Sequence, residues 1–242
     1  MILSVIPTPF FGANCMVLLP GQGGAALVVD PSAGVLDSIK AVLRTHDARV
    51  GAVLCTHGHP DHVWDAAEVS SWAGTDQDLT PSPVWVPGPD LYRMDDPLAG
   101  VPMRPEALDL VWQRPEDLRA VPGSTFEPVP GLRLLMVPAP GHTEGSAVFL
   151  AEGDLHVDVG GETVVERPDG TPWALTGDVL FAGSVGRTDL PGGDEVQMRH
   201  TLRTLANAVD PATVVLPGHG PWTTMARELE SNPYLARARR IG

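Results

Sequence analysis

Residues 55–64 read CTHGHPDHVW and directly follow the apolar run VGAVL. Six consecutive residues of this stretch contain three histidines and one aspartate, namely His57, His59, Asp61 and His62. Polar side chains gathered this densely at the end of a buried strand cost free energy unless they bind something. Imidazole nitrogen and carboxylate oxygen are ligands that zinc prefers in proteins. The stretch therefore predicts a metal site where a strand ends.

The spacing within the stretch indicates room for two metal ions. His57 and His59, two residues apart in an extended turn, can point to one side and share one ion. Asp61 and His62 can then turn toward a second ion. A lone histidine here would more often be an ordinary hydrogen-bonded or surface residue. Cys55 belongs to the strand, so a thiol packed in the core is favoured over a further ligand.

Three later strand ends carry residues of the same ligand type. His142 lies between glycines in PGHTEG, Asp178 ends the run TPWALTGD, and His219 lies in LPGHG. A carboxylate has two oxygens and can bridge two cations. Each of these residues alone is weak evidence. Together with the first cluster they indicate one composite site that leaves a position for solvent, as catalytic zinc sites do.

Short apolar runs separated by turns predict an alternation of strands and helices. NCMVLLP and GAALVVDPS are typical of a hairpin, and VGAVLCT, LRLLMVPAP, SAVFLAEG, TPWALTGD and ATVVLPGHG of further strands. Helical spacing of apolar residues predicts one helix after Ser32, its expected N-cap, and others in VWDAAEVSSWAG and DEVQMRHTLRTLANAV. The ligands therefore lie at the ends of strands in an α/β chain.

The whole chain, residues 1–242, is expected to form one domain. From about residue 74 to residue 131 prolines recur so often that no long element can form, and VWVP is expected to be one short strand there. Irregular segments of this length are usually functional loops or lids. We interpret 74–131 as an excursion beside the site, in which Tyr92, Arg93 and Met94 face either the pocket or solvent.

Composition disfavours nucleic-acid and membrane partners and indicates where the protein is located. The formal net charge of −14 disfavours binding to a nucleic-acid backbone, which requires lysine and arginine to displace counterions. No apolar stretch approaches the roughly 20 residues of a membrane span, and the N-terminus lacks the basic region of a signal peptide. Cys15 and Cys55 are too few for a disulfide framework. We expect a cytoplasmic protein with buried free thiols, no nucleic-acid partner and no membrane partner.

The segments THGHPDH, PGHTEGS, TGDVLFAGSVGRTDLPGGD and LPGHGPWTT resemble the metallo-β-lactamase superfamily, and most closely its glyoxalase II-like branch of thioester hydrolases. The resemblance extends from about Asn14 to Leu235. It implies an α/β (α+β) fold, in which two mixed β-sheets and the helices on their outer faces form a four-layer αββα sandwich. The metals of that fold lie at one edge of the sheets.

The resemblance also distributes the candidate ligands between two metal ions. The residues implied to hold the first ion are His57, His59 and His142. Those implied to hold the second are Asp61, His62 and His219, with Asp178 as the bridge. The implied cofactors are two Zn²⁺ ions per chain, with iron or manganese as alternatives. Two cations that share a hydroxide lower its pKa, and Asp61 is the predicted catalytic residue because it can orient that hydroxide or accept its proton.

A thioester suits this chemistry because a thiolate leaves without protonation, and the motifs supply no dedicated acid. His59 replaces the glutamate of the diiron flavoprotein branch, which argues against that redox chemistry. Asp178 stands where class B1 β-lactamases place cysteine, which disfavours a β-lactam substrate. The predicted function is hydrolysis of S-acyl thiols, and the predicted partner is a small-molecule thioester.

Several alternatives stay open. GRTD also resembles the persulfide dioxygenases, which use one iron, although the C-terminal segment follows the hydrolase pattern. A lactonase could use the same ligands. A scaffold with purely structural metal is disfavoured because structural zinc sites are usually closed and cysteine-rich. Association into a homo-oligomer and the thiol carrier are also open.

Two charged residues have competing interpretations. Arg187 is a candidate substrate contact, but an Arg187–Asp189 pair that stiffens the glycine-rich loop is the favoured interpretation. Asp30 either accepts a hydrogen bond from a ligand imidazole or caps a turn.

Overall fold

The structure, a computed structural model, describes residues 1–72, 80–99, 101, 111–167 and 170–240. The strands are β1 (Ile2–Pro7), β2 (Asn14–Leu19), β3 (Ala25–Val29), β4 (Arg49–Leu54), β5 (Val84–Val86), β6 (Leu118–Ala120), β7 (Thr125–Val129), β8 (Leu132–Pro138), β9 (Ala147–Glu152), β10 (Leu155–Val159), β11 (Glu162–Arg167), β12 (Pro172–Gly177), β13 (Val214–Pro217) and β14 (Thr223–Thr224). The helices are α1 (Leu36–Thr45), α2 (Pro60–Val63), α3 (Ala66–Ser71), α4 (Glu195–Ala208), α5 (Met225–Ser231) and α6 (Pro233–Arg240), with a 3-10 helix at Gly88–Met94.

The strands form two mixed sheets. The first has the order β11-β10-β1-β2-β3-β4-β5-β6 and the second the order β14-β13-β12-β9-β8-β7. In the first sheet β3, β4, β5 and β6 run parallel to one another. In the second sheet β12 and β13 are parallel. Because parallel neighbours end at the same edge of a sheet, the residues that follow these strands are brought together.

The residues of β2 show why the sheets stack. This strand is buried along its whole length, so both of its faces need an apolar cover. Met16 and Leu18 point into a core between the sheets, where Leu134 and Phe149 of the second sheet also lie. Cys15 and Val17 alternate with them and pack in a separate cluster with residues of α1 and α3. The first sheet is therefore covered on both sides.

Helices cover the outer face of the second sheet in the same way. Leu202 and Leu205 of α4 and Leu235 of α6 are buried in one cluster with Val148 of β9 and Ala174 of β12. α4 begins at the N-cap Asp194, whose carboxylate accepts hydrogen bonds from the N–H groups of residues 196 and 197. Two helical layers and two sheets confirm the four-layer αββα sandwich.

The predicted N-cap of the first helix is wrong. α1 begins at Leu36, and Val35 in the N-cap position makes no side-chain capping bond. Instead, the Asp65 carboxylate accepts a hydrogen bond from Gly34 N–H at 3.2 Å. This bond ties the segment before α1 to a residue distant in sequence, and local sequence gives no sign of it.

The described part of the excursion is more regular than the prolines indicate. β5 pairs with β4, and β6 pairs with β5, so the segment extends the first sheet. β7 then forms an edge strand of the second sheet and pairs with β8. The strand expected in VWVP is confirmed as β5, whereas β6 and β7 were not predicted. Prolines keep β5 and β6 to three residues each, but pairing of β5 with β4 and of β6 with β5 still orders them. Residues 73–79, 100 and 102–110 of this segment lie outside the described residues.

Both cysteines are free and buried, as expected. Burial is the main reason that the pKa of each thiol lies well above its ordinary value. Within the described ranges no helix has the length and apolar character needed to cross a membrane.

Candidate metal centre

The structure brings all seven predicted ligands together. Four of them follow β4 and enter α2, and the other three follow β8, β12 and β13. They form three overlapping groups whose ligand atoms lie within 4.8 Å of one another: His57, His59 and His142; His57, His62 and Asp178; Asp61, His62 and His219. The site therefore draws on both sheets.

The first group consists of three buried imidazoles. His59 Nδ1 lies 3.1 Å from His57 Nε2 and 2.8 Å from His142 Nε2. The three nitrogens converge on one point although the two turns that carry them come from different sheets.

Asp61, His62 and His219, hereafter the second group, combine two imidazoles with a carboxylate. His62 Nε2 lies 3.3 Å from His219 Nε2. Asp61 Oδ2 lies 3.3 Å from His219 Nε2 and 3.7 Å from His62 Nε2. His62 is fully buried, whereas Asp61 and His219 are partly open to solvent.

Asp178 lies between the two groups. Its Oδ2 is 3.5 Å from His142 Nε2 and 3.4 Å from His219 Nε2, and its Oδ1 is 3.4 Å from His62 Nε2. Contacts to a ligand of the first group and to two of the second are what a bridging carboxylate requires.

Neighbouring groups fix which ring nitrogen of each imidazole faces the site. The Arg187 carbonyl can only accept, so His142 Nδ1 donates to it at 2.7 Å. Asp30 likewise accepts from His62 Nδ1 at 3.0 Å. Thr56 donates its hydroxyl to Asp30 Oδ2 at 2.8 Å and so accepts from His57 Nδ1 at 3.1 Å. All three imidazoles therefore turn Nε2 toward the cluster, the arrangement found in metal-ligating histidines.

These donors fit divalent metal ions. Lone pairs of imidazole nitrogens face one another at hydrogen-bond distance, which is unfavourable without a proton or a cation between them. Among the described residues, the buried Asp178 Oδ1 has no hydrogen-bond donor. A set of nitrogen and carboxylate ligands without thiolate suits zinc, iron or manganese. We conclude that this is a histidine-rich divalent-metal site.

The site separates the two groups electrostatically. Burial, followed by the neighbouring His142, lowers the pKa of His59 to about 3. Burial is also the main reason that the pKa values of His57 and His142 are lowered, so the first group is neutral at pH 7. Burial also lowers the pKa of His62 and His219, but the nearby carboxylates of Asp178 and Asp61 outweigh it. They raise the pKa of His62 to about 9 and that of His219 to about 10. Without metal, the second group therefore holds protons where cations would bind.

Asp30 and Asn14 support the ligands from behind the cluster. Asp30 accepts from His62 and also from Thr56 N–H at 2.7 Å, so its interpretation as an acceptor for a ligand imidazole is borne out by the geometry.

Asn14 is a supporting residue that the sequence motifs did not indicate. Its buried side-chain amide donates to the carbonyls of Pro217 at 3.0 Å and Gly220 at 2.8 Å, on either side of His219. A polar residue that opens an otherwise apolar strand was the available signal.

The cluster forms the floor of a cleft of about 430 Å³. Its walls are largely apolar and include Phe11, Val101, Phe181 and Leu190. Arg187 also lines the cleft, and its guanidinium pairs with Asp189 at 2.6 and 2.7 Å, which confirms the expected pair.

The three excursion residues with open interpretations lie elsewhere. Tyr92 is exposed and its hydroxyl donates to Glu144. Met94 is buried in the core beneath the first sheet. Arg93 is buried and ion-paired with Asp90 and Glu144. None of the three is among the described residues that line the cleft.

Comparison with known families decides the assignment. The profile of the metallo-beta-lactamase superfamily matches residues 8–219, which include all seven candidate ligands. The chain belongs to this superfamily. Membership agrees with the αββα sandwich and with the histidine-rich divalent-metal site.

Relatives within the superfamily cover nearly the whole chain. An uncharacterized protein of Mycobacterium tuberculosis, Rv2581c, is 32% identical over 97% of this chain and 98% of its own length. Hydroxyacylglutathione hydrolase GloC of Haemophilus influenzae is 28% identical over 97% of this chain and 98% of its own length. The crystal structure of TTHA1623 in a di-iron-bound form has a TM-score of 0.69 at 27% identity and covers 95% of this chain and 98% of that one.

Proposed function

We propose that the chain is a binuclear metal-dependent hydrolase that cleaves thioesters of small acyl thiols. The observation that carries this proposal is the pairing of two ligand groups through Asp178 on the floor of an open cleft. Structural metal sites are usually closed. A cluster that faces a cleft is suited to act on a molecule that enters it.

In this proposal the two groups hold one metal ion each. His57 Nε2, His59 Nδ1 and His142 Nε2 would hold the first ion. Asp61, His62 and His219 would hold the second, and Asp178, which lies between the two groups, would serve both. We propose Zn²⁺ as the metal because the ligands are imidazole and carboxylate. Iron is the alternative, supported by the di-iron form of TTHA1623, and manganese remains compatible with the same ligands.

The metal ions would supply a solvent nucleophile with a lowered pKa and a Lewis acid for the substrate carbonyl. The chain's own residues would orient the reactants. Asp61, partly open to the cleft, would orient the nucleophilic solvent and accept its proton on the carboxylate. The apolar side chains of Phe11 and Phe181 would exclude water from the acyl group, which strengthens the electrostatic interactions within the site.

The lining of the cleft favours thioesters over oxygen esters and amides. Apart from the ligands, Arg187 is the only ionisable side chain among the described residues that line it. A guanidinium does not give up a proton near neutral pH. The site therefore offers no separate acid for the leaving group. A thiolate needs none because thiols ionise near pH 8.5, whereas an alkoxide or amide anion does.

The family relatives support the same substrate class. GloC is by name a hydroxyacylglutathione hydrolase, and its alignment spans nearly the whole of both chains. We also propose a cytoplasmic location and a small-molecule partner. A nucleic-acid partner is not proposed, because the net charge of −14 disfavours binding to phosphate backbones.

The proposal is tested by thiol release from zinc-loaded protein. S-lactoylglutathione, an S-lactoyl thioester of a shorter thiol, the matching oxygen ester and a lactone would be assayed side by side. We expect thioester cleavage well above cleavage of the oxygen ester. Exclusive lactone opening would contradict the proposal. Oxygen uptake with a persulfide by the iron-loaded protein would favour the dioxygenase alternative.

A matched pair of variants makes the assay specific to the cluster. Asp61→Asn removes the carboxylate that faces the cleft, and we expect thioester turnover to fall by at least about 100-fold. Asp117→Asn breaks only a surface pair with Arg119 and should leave turnover unchanged.

A further inference from the structure

We propose that Asp90 is a positioning residue for the first metal site: one buried carboxylate holds the His57–His59 turn and the His142 turn at the separation that metal binding requires. This inference rests on the proposed metal-binding role of His57, His59 and His142. It does not depend on the substrate.

Hydrogen bonds link Asp90 to both turns. Asp90 has no exposed surface. Its Oδ2 accepts from Gly58 N–H at 2.8 Å and from the Thr143 hydroxyl at 2.7 Å. Its Oδ1 accepts from Gly145 N–H at 2.7 Å. Gly58 lies between the ligands His57 and His59, and Thr143 directly follows the ligand His142.

The two turns approach Asp90 closely because glycine occupies the contact positions. A Cβ at position 145 would lie 2.5 Å from Asp90 Cγ and 2.6 Å from Asp90 N. A Cβ at position 58 would lie 2.7 Å from Arg93 Cβ. Side chains at either position would push the turns away from the carboxylate, so glycine here serves the approach of the backbone.

Arg93 compensates the buried charge. Its Nε lies 3.4 Å from Asp90 Oδ1. Its guanidinium also donates to Glu144 Oε2 at 2.6 Å and to the Pro191 carbonyl at 2.8 Å. A buried carboxylate is stable only with such partners. The 3-10 helix Gly88–Met94 thus bonds to three loops around the cleft.

Because these bonds lie behind the first metal site, we expect their loss to change the arrangement of its ligands and therefore its affinity for metal. His57 and His59 follow β4 of the first sheet, whereas His142 lies in the turn between β8 and β9 of the second. Small shifts between the sheets would change the distances between the three ring nitrogens. Hydrogen bonds behind the ligands are worth about 10- to 100-fold in metal affinity when they are removed.

The variant Asp90→Asn tests the proposal with almost no change of shape. An amide has one carbonyl oxygen, so in either orientation its NH₂ group faces a backbone N–H, of Gly58 or of Gly145. We expect the first zinc ion to bind about 10- to 100-fold more weakly and the second to change less than about threefold. Competition against a chromophoric zinc chelator gives both constants, and ¹⁵N chemical shifts of labelled histidines show which imidazoles lose metal.

Glu228→Gln is the matched control for general loss of stability. Glu228 is also a buried acid, and it accepts from Gly183 N–H at 2.8 Å and from the Thr223 hydroxyl at 2.7 Å. It does not contact the first three ligands. This variant should lower the melting temperature but leave zinc affinity at the first site within threefold of the parent. An equal loss of affinity in both variants would overturn the proposal.

Thr143→Val decides the matter should Asp90→Asn not fold. It removes one donor to Asp90 and nearly preserves the shape of the side chain, so we expect a loss of about three- to tenfold at the first site. Affinity within experimental error of the parent in the folded variant would overturn the proposal. Absence of thioester turnover in a parent that binds two zinc ions would contradict the proposed function but not this inference. A parent that binds no metal would contradict both.

Discussion

His62 Nε2 and His219 Nε2 lie 3.3 Å apart, and both face the carboxylates of Asp61 and Asp178. Two imidazoles whose pKa values are raised to about 9 and about 10 hold protons at neutral pH in the metal-free protein. Metal ligation requires the neutral imidazole. Protons and metal ions therefore compete for the second group.

This competition predicts that metal loading acidifies the solution. At pH 7.5, binding of the ions should release protons from His62 and His219, and zinc affinity should fall as pH falls. Calorimetry in buffers with different ionisation enthalpies measures the number released. His219→Ala should release fewer protons than the parent. Equal proton release by the two proteins would contradict the assignment.

The same pKa values predict how the stability of the metal-free fold depends on pH. Because the folded pKa of His62 and His219 lies above the unfolded value of about 6.5, these groups stabilise the fold fully below pH 6.5. That stabilisation is lost as pH rises through about 9 to 10. The melting temperature of the metal-free protein should therefore fall from pH 7 to pH 10 by more than that of His219→Ala. A pH-independent difference between the two would refute the expectation.

Removal of the Asp30 carboxylate should weaken the binding of the second metal ion. Asp30→Asn deprives His62 Nδ1 and Thr56 N–H of a shared charged acceptor. We expect a loss of about 10- to 100-fold in zinc affinity, together with a lower melting temperature. Asp37→Asn, in the first turn of α1 on the same half of the chain, is the surface control. Chelator competition measures the zinc affinity. Unchanged affinity in Asp30→Asn would show that the hydrogen bond between Asp30 and His62 does not contribute to metal binding.

A side chain at position 145 should destabilise the fold. Gly145→Ala places a Cβ against Asp90, with contacts of 2.5 and 2.6 Å that the buried neighbour cannot relieve easily. The expected cost is about 1 to 3 kcal/mol in the free energy of unfolding. Gly88→Ala is matched because no atom of the described residues lies within 4 Å of its added Cβ. Urea unfolding should separate the two variants, and equal stabilities would argue against close packing here.

Phe11 should influence acyl-group selectivity. Its side chain is 63% exposed, lines the cleft and belongs to a residue with φ of 55°, in the left-handed region. Phe11→Ala removes an apolar wall, so KM for thioesters with apolar acyl groups should rise about three- to tenfold, with less effect on the smallest acyl groups. Val111→Ala, another exposed apolar residue that does not line the cleft, is the control. An equal KM change for all acyl lengths would not fit this role.

The sequence predicted well what apolar periodicity and ligand chemistry determine locally. Fully apolar runs became buried strands, and the residues at their ends converge as His57, His142, Asp178 and His219 do. Contacts between residues far apart in the chain could not be predicted from local patterns. Asp90 lies in a proline-rich segment with no periodicity, and its partners are 32, 53 and 55 residues away. The prediction of Ser32 as the N-cap of α1 was wrong, and the segment before this helix bonds instead to Asp65, 31 residues from Gly34.

The most direct test is anomalous X-ray diffraction at the zinc edge from crystals of the zinc-loaded protein. We expect two peaks, one bounded by His57, His59 and His142 and the other by Asp61, His62 and His219, with Asp178 between them. A single peak, or peaks remote from these residues, would contradict a binuclear centre and with it the proposed hydrolytic chemistry.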